Sequence, residues 1–380
     1  MKITGWELLT LPDHGDSMML LVLDTDEGVH GLGEVGIRSR QKAVAGGLEH
    51  LGQLIVGEDP TRIEHLWQVM FRRGFFPADR FLSAAIAAVD VALWDIRGKA
   101  LGVPVYELLG GRVRDHVPAY THLGDDYHDL ERFLDRARAL VEQGWRHLRF
   151  AVPHKPDGVL DQRACMRAGI ALFHRMRDAV GDDVELILDV HTRLDPPEAL
   201  TLCREIEAAR PYFVEDPLRS EGLDSYRMLR SRTAVPLAAG EQFGSKWEFQ
   251  RLVEGDLIDY ARVDVGVAAG LTEAKKIAAM CEAHFIKLAT HNPLGPVTAA
   301  SSLHLNLACP NVAVQEHQAQ PEPEIDALFT ARPVIHSGRV ELPDLPGLGV
   351  DIDRAAARRY QAVAAERPHL RSSDGAFTNW

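Results

Sequence analysis

Six short segments of the chain end in acids or histidines, and they recur at an even spacing. LILDVH places Asp189 and His191, YFVEDP places Glu215, and PLAAGEQ places Glu241. ARVDVG places Asp264, KLATHNP places His291 and VAVQEH places Glu316. Successive positions from Asp189 to Glu316 lie 23 to 27 residues apart, close to the length of one βα unit. Residues at the same place in successive units arrive at one rim of a parallel barrel, where barrel enzymes keep their reactive groups. Asp189, Glu215 and Glu241 would come from three adjacent strands. Carboxylates so gathered repel one another and raise each other's pKa unless a cation lies between them. An all-oxygen donor set without Cys or His suits a hard divalent ion, Mg²⁺ first and Mn²⁺ second, one per chain. Three carboxylates exceed the one or two usual for Mg²⁺, so the other positions are left to water or a substrate oxygen. His191, two residues past Asp189 along a strand, projects to the same side. Asp264 and His291 fall on neighbouring strands. A carboxylate beside an imidazole fixes its tautomer and raises its pKa, which makes a base useful near neutral pH.

Such a rim requires eight short parallel strands separated by helices. The pattern supplies them at Ala119–Leu123, Leu148–Val152, Glu185–Val190, Tyr212–Val214, Leu237–Ala239, Tyr260–Val263, Ile286–Ala289 and Val312–Val314. The fold class is therefore α/β, a modified TIM (β/α)-barrel over residues 117–346. Residues 1–116 read differently: strands at Lys2–Leu11, Met18–Leu23 and Gly28–Gly36, then helices at Gln41–Leu54, Thr61–Phe71 and Leu82–Leu101. This is an α+β capping domain, and the tail from 347 to 380, with a helical pattern over Arg354–Ala365, is expected to pack back on it. Two polar stretches in the cap, PDHGDS at 12–17 and RRGFFPADR at 72–80, could act as lids, with His14 and Arg72 or Arg73 reaching a substrate.

The net charge of −13 argues against nucleic acid as a partner, which needs clustered Lys and Arg. No run of about 18 apolar residues occurs and MKITGWELLTLP has no apolar signal core, so a soluble cytoplasmic protein without membrane contact is expected. The four cysteines show no CxxC and read as buried free thiols. The absence of HxH and HExxH argues against a hydrolytic metallo-barrel.

The strand-end residues, together with ALWDIRGKALGVPVYELLGG at 92–111, resemble the mandelate racemase branch of the enolase superfamily over essentially the whole chain. Within it, DxH at Asp189–His191, HNPLGP at 291–296 and QEH at 315–317 are similar to acid-sugar dehydratases. PEPEIDALF, PGLGVDID and DGAFTNW resemble the mannonate dehydratase group, whereas HNPLGP is closer to galactonate dehydratase. The resemblance implies Mg²⁺-dependent dehydration of a sugar acid such as mannonate, gluconate or galactonate to a 2-keto-3-deoxy acid, through an enediolate. It implies His291, oriented by Asp264, as the base at C2 and His191 as the acid at the departing 3-hydroxyl. Glu316 would hydrogen-bond the substrate carboxylate or enediolate, protonated or through water. Homo-oligomers are common in this branch, and one is expected here. His147–Leu148–Arg149–Phe150 stands where other members carry Lys-x-Lys, which argues against a two-base racemase and a Lys-dependent cycloisomerase. Arg149 matches an arginine that in the mannonate dehydratase group works beside a tyrosine of a long loop. PHKPDG at 153–158 is short and has no tyrosine, so a structural or substrate-carboxylate role for Arg149 stands beside the catalytic one. An acid-sugar racemase or epimerase and a low-activity binding or regulatory relative remain as alternatives.

Overall fold

The N-terminal strands pair as their alternation dictates. The computed structural model describes the chain except residues 15, 39, 125, 126, 128, 155–157, 318–320, 337, 361–368, 379 and 380, and the side chain of residue 336. Strands β1 (Ile3–Asp13), β2 (Asp16–Thr25) and β3 (His30–Glu34) form an antiparallel meander. Helices α1 (Gln41–Ile55), α2 (Ile63–Arg72), α3 (Arg80–Leu101) and the short α4 (Val105–Leu108) follow. The Asp79 side chain accepts the Leu82 N–H to start α3, and Gly102 in the left-handed region ends it. α3 lies directly on β3. A Cβ on Gly33 would stand 1.9 Å from the Ala88 carbonyl oxygen, so no other residue permits that approach.

PDHGDS is the closed end of the β1–β2 hairpin: Asp13 pairs with Asp16, and His14 turns the chain at φ 46°. RRGFFPADR joins α2 to α3 with Phe75 and Phe76 exposed. Arg72 is drawn back to Gln68 along its own helix, whereas Arg80 reaches Glu248 and Ser220 in the barrel.

Eight parallel strands then close on themselves. They are β4 (Val117–His122), β5 (His147–Ala151), β6 (Glu185–Asp189), β7 (Phe213–Glu215), β8 (Leu237–Ala239), β9 (Tyr260–Ala261), β10 (Lys287–Thr290) and β11 (Val312–His317). The β11–β4 pairing closes the ring. The helices between them are α5 (Leu130–Glu142), α6 (Gln162–Val180), α7 (Pro196–Ile206), α8 (Ser225–Arg230), α9 (Lys246–Val253), α10 (Leu271–Ala283) and α11 (Pro296–Leu307). Beyond β11 come α12 (Pro323–Asp326), β12 (Phe329–Ala331), β13 (Val334–His336), β14 (Arg339–Glu341), β15 (Asp351–Ile352) and α13 (Arg354–Ala357).

The tail meets the cap through Arg354 to Asp24 and Glu7, Arg358 to Glu7, and the Leu348 N–H to Asp95. The helical pattern ends earlier than its sequence suggests, at Ala357, and 361–368 lie outside the described residues. All four cysteines are free and buried. Among the described residues no helix is long and apolar enough to cross a membrane.

Candidate active site

The barrel interior is layered by the two-residue period of its strands. Tyr120, Ile187, Phe213, Ala238, Ala289 and Val314 form an apolar floor. Two residues further along five of these strands stand His122, Asp189, Glu215, His291 and Glu316. Side chains two apart share a face, so the apolar plug and the charged ring above it are two levels of one pattern. Asp189 and Glu215 are register partners.

Around the ring the charges are paired. Arg149 donates to Asp189, and also approaches His122 Nδ1 at 3.0 Å and His191 Nε2 at 2.8 Å. His122 Nε2 meets Glu316 Oε1 at 2.6 Å. An arginine only donates, so His122 Nδ1 accepts and its proton sits on Nε2, facing Glu316. Arg262, fully buried, donates to Glu215 at 2.7 Å, to Glu316 at 2.6 Å and to the Ala289 carbonyl at 2.8 Å. The sequence of contacts is thus Asp189–Arg149–His122–Glu316–Arg262–Glu215.

His291 and Asp264 form the expected dyad, Nδ1 to Oδ2 at 2.6 Å, leaving His291 Nε2 3.4 Å from Glu241 and 3.9 Å from Glu316. Burial opposes charge on His291, but Glu241, Glu316 and Asp264 outweigh it and raise its pKa to about 9. Burial and the Arg149 guanidinium lower His191 well below the usual histidine value. His191 reaches Asp189 Oδ2 at 2.9 Å, though not by strand alternation. β6 ends at Asp189, and His191 and Thr192 both adopt left-handed backbone, φ 51° and 56°. The His191 N–H donates to Asp189 Oδ1 at 2.7 Å and the Thr192 N–H to the Asp216 carbonyl at 2.9 Å, which hold that turn. Consecutive left-handed non-glycine residues are costly and mark a side chain aimed by its surroundings.

The family resemblance has Glu316 hydrogen-bond the substrate carboxylate or enediolate, protonated or through water. Although burial disfavours its charge, His291, Arg262 and His122 hold it well below the usual carboxylate range, and the Asn292 N–H also donates to it. It is a carboxylate with its oxygens occupied.

Asp189, Glu215 and Glu241 come to the same rim, each beside a cationic or titratable partner. Among the described residues no three His, Cys, Asp or Glu side chains are gathered as a ready-made metal cluster. The donor set nevertheless suits a hard cation. Asp189 and Glu215 are buried and Glu241 is half-buried, Glu215 Oε2 has no hydrogen-bond partner, and burial together with Glu215 raises Glu241 to about 7 despite His291. A buried carboxylate oxygen without a donor is costly and is where a cation would settle.

Three residues of the ring were not read from the sequence. His122 ends the first barrel strand, as the acids end theirs. Arg262 stands two residues before Asp264 in ARVDVG, and Asp216, buried with Oδ2 unpartnered, directly follows Glu215. The strand-end rule would have found the first two.

Residues 11–110 match the family model for the mandelate racemase/muconate lactonizing enzyme N-terminal domain, and residues 132–356 that for the enolase C-terminal domain-like fold. Over 388 aligned positions covering both chains completely, the protein is 38% identical to the D-galactonate dehydratase of Ralstonia pickettii (strain 12J) and 37% to that of Pectobacterium atrosepticum. Among solved structures it is similar to an enolase from Pantoea ananatis with bound D-gluconate and Mg, with a TM-score of 0.92, 30% identity and 99% of each chain covered. It is also similar to an enolase from Agrobacterium radiobacter bound to Na and L-malate, with a TM-score of 0.89, 30% identity and 99% of each chain covered. With both domains matched and a closed eight-stranded barrel under an α+β cap, this chain belongs to the enolase superfamily, in its mandelate racemase/muconate lactonizing enzyme group.

Proposed function

We propose that this protein is a Mg²⁺-dependent hydro-lyase that dehydrates a sugar acid, an aldonate with D-galactonate first, to the 2-keto-3-deoxy acid. The observation that carries the reading is the pairing of His291 with Asp264 on the same rim as a second histidine, His191, beside Asp189. Full-length relatives named D-galactonate dehydratase and a neighbour holding D-gluconate and Mg support the substrate class.

Asp189, Glu215 and Glu241 would hold the ion, which supplies a Lewis acid that stabilises negative charge developing on the substrate carboxylate. The other roles fall to protein side chains. Asp264 holds His291 by Nδ1, so Nε2 is the nitrogen that takes the C2 proton. With Glu241 given over to the ion, its pull on His291 would weaken and favour the neutral imidazole. Arg149, whose terminal nitrogens already meet Asp189, His122 and His191, would turn its remaining N–H and its charge toward the substrate carboxylate. Pairing of that arginine with the substrate carboxylate would offset one of the charges that disfavour a proton on His191, which would then take one from solvent and deliver it to the 3-hydroxyl as that group departs as water. Arg262 and His122 keep Glu316 ionised and fixed, and Glu316 in turn holds the Asn292 N–H beside the base.

A soluble cytoplasmic enzyme assembled from like chains belongs to the same proposal, and light scattering on the eluting protein checks the assembly. The test of function is a panel of C5 and C6 aldonic and aldaric acids with Mg²⁺, assayed for 2-keto-3-deoxy products. A product epimeric at C2 would replace dehydration with epimerisation. Mg²⁺-linked thermal stabilisation with no turnover across the panel would instead indicate a binding relative.

A further inference from the structure

The capping domain does more than cover the barrel mouth. α11, which follows the His291 loop, begins at Gly295 and has no side-chain cap of its own. Its first N–H groups point at a carboxylate from the other domain. Glu34, at the end of β3, accepts the Gly295 N–H on Oε1 at 2.5 Å and the Thr298 N–H on Oε2 at 2.9 Å, across 261 and 264 residues of sequence. Glu34 is buried, and a buried helix start needs such a partner. Both oxygens accept backbone donors, an arrangement suited to the carboxylate.

Two residues on, the same segment braces the other half of the dyad. A Cβ on Gly36 would lie 2.2 Å from the Gly266 carbonyl oxygen, so the two loops meet backbone to backbone. Gly266 donates its N–H to Asp264 Oδ1 at 2.7 Å, while Asp264 Oδ2 holds His291. Only three residues lie between His291 and Gly295, so the loop bearing the imidazole is tied at one end by β10 and at the other by Glu34.

We propose that the 34–36 segment of the cap, with Glu34 as its principal contact, is a positioning element for the His291–Asp264 dyad. Glu34 touches neither member of the dyad and acts through the N-terminus of α11. This rests on the reading of His291 as the base, but the juxtaposition itself is independent of it.

The experiment compares Glu34→Gln and Glu34→Asp in the full chain with Asp161→Asn, which removes part of a cap from α6, a helix that caps itself. Glu34→Gln keeps the reach with one acceptor, and Glu34→Asp keeps the charge with a shorter reach. The readouts are kcat and KM for the best acid of the panel with Mg²⁺, Tm, and the downfield proton resonance of the His291 Nδ1–H. Both Glu34 variants are expected to lose about tenfold or more in kcat with KM within about threefold, and to move or broaden that resonance. Asp161→Asn is expected to lower Tm while leaving kcat and the resonance unchanged. Glu34 variants that lose Tm but keep kcat and the resonance would overturn the proposal. If no acid is turned over, the functional reading fails, and the resonance alone decides the positioning role. If one Glu34 variant does not fold, the other carries the comparison.

Discussion

The early and late helices of the barrel begin in different ways. α5 and α6 supply their own caps: Asp129 accepts the Arg132 N–H and Asp161 the Ala164 N–H, each three residues away. α10 and α11 begin at glycines with no side-chain cap of their own, and the missing acceptors come from the capping domain. Asp90 on α3 takes the Thr272 N–H at 3.0 Å and its hydroxyl at 2.5 Å, and Glu34 serves α11. The effect continues inward, since Glu273 of α10 receives the Lys246 N–H at the start of α9. The side of the barrel that carries Asp264 and His291 therefore takes the acceptors for two of its helix starts from the other domain. On the early side the caps are local, although the approach to α6 also leans on the tail, the Leu160 N–H donating to the Arg371 carbonyl and the Arg371 N–H to the Gly158 carbonyl.

Chemistry tests this division most strongly. His291→Asn should cost about 10³-fold in kcat, roughly 4 kcal/mol of barrier, and abolish exchange of the C2 hydrogen with deuterated solvent. His191→Asn should lose dehydration to a similar extent but retain that exchange, as read by mass spectrometry. Exchange persisting in His291→Asn would take the base away from the late side.

Next in size is the cap itself. Asp90→Ala should destabilise by about 3 kcal/mol in urea unfolding, because it leaves two buried donors of Thr272 unsatisfied. Asp161→Ala, at an exposed self-cap, should cost about 1 kcal/mol. Equal costs would erase the distinction between the two helix classes.

Metal binding should act on the rim between these regions. Mg²⁺ at about 100 times its dissociation constant should stabilise by about 2.7 kcal/mol, raising Tm, and Glu215→Gln should remove that gain. Chelation should return the wild-type Tm to the metal-free value, and a Glu215→Gln protein still stabilised by Mg²⁺ would exclude Glu215 as a ligand.

The last expected effect is in pH dependence, read as a slope rather than as a single free energy. Burial raises Asp90 to about 7 against its Thr272 hydrogen bonds, while the unfolded group titrates near its usual value of 3.8. Between those values the folded state holds the extra proton, so this group's contribution to stability is fullest below pH ~4 and is lost as pH rises towards 7. The limit is about 1.4 kcal/mol per pH unit. Asp90→Asn should flatten the slope of the urea midpoint over that window, and an unchanged slope would show that Asp90 titrates normally.

Much of the site was legible because it repeats. Asp189, Glu215, Glu241, Asp264, His291 and Glu316 each end an apolar run of the right length, and the even spacing alone puts them on one rim. His122 obeys the same rule, but a lone histidine after YT carries no acidic companion to mark it. Arg262 is harder to see: a fully buried guanidinium is rare, and what keeps it there is the pair of carboxylates on β7 and β11, 47 and 54 residues away. Strand alternation predicts the side on which His191 lies, but left-handed backbone after the end of β6 is what aims it there.

The sequence by itself determined the barrel, the cap and the order of charged residues around the mouth, because periods of two residues and of one βα unit are local properties of the chain. Only the tertiary structure decided which charges neutralise which, and that Glu34 and Asp90 of one domain complete helices of the other. The helix completions join residues 182 and more apart, where no spacing rule reaches and only the packing of α3 and β3 against the barrel brings donor to acceptor.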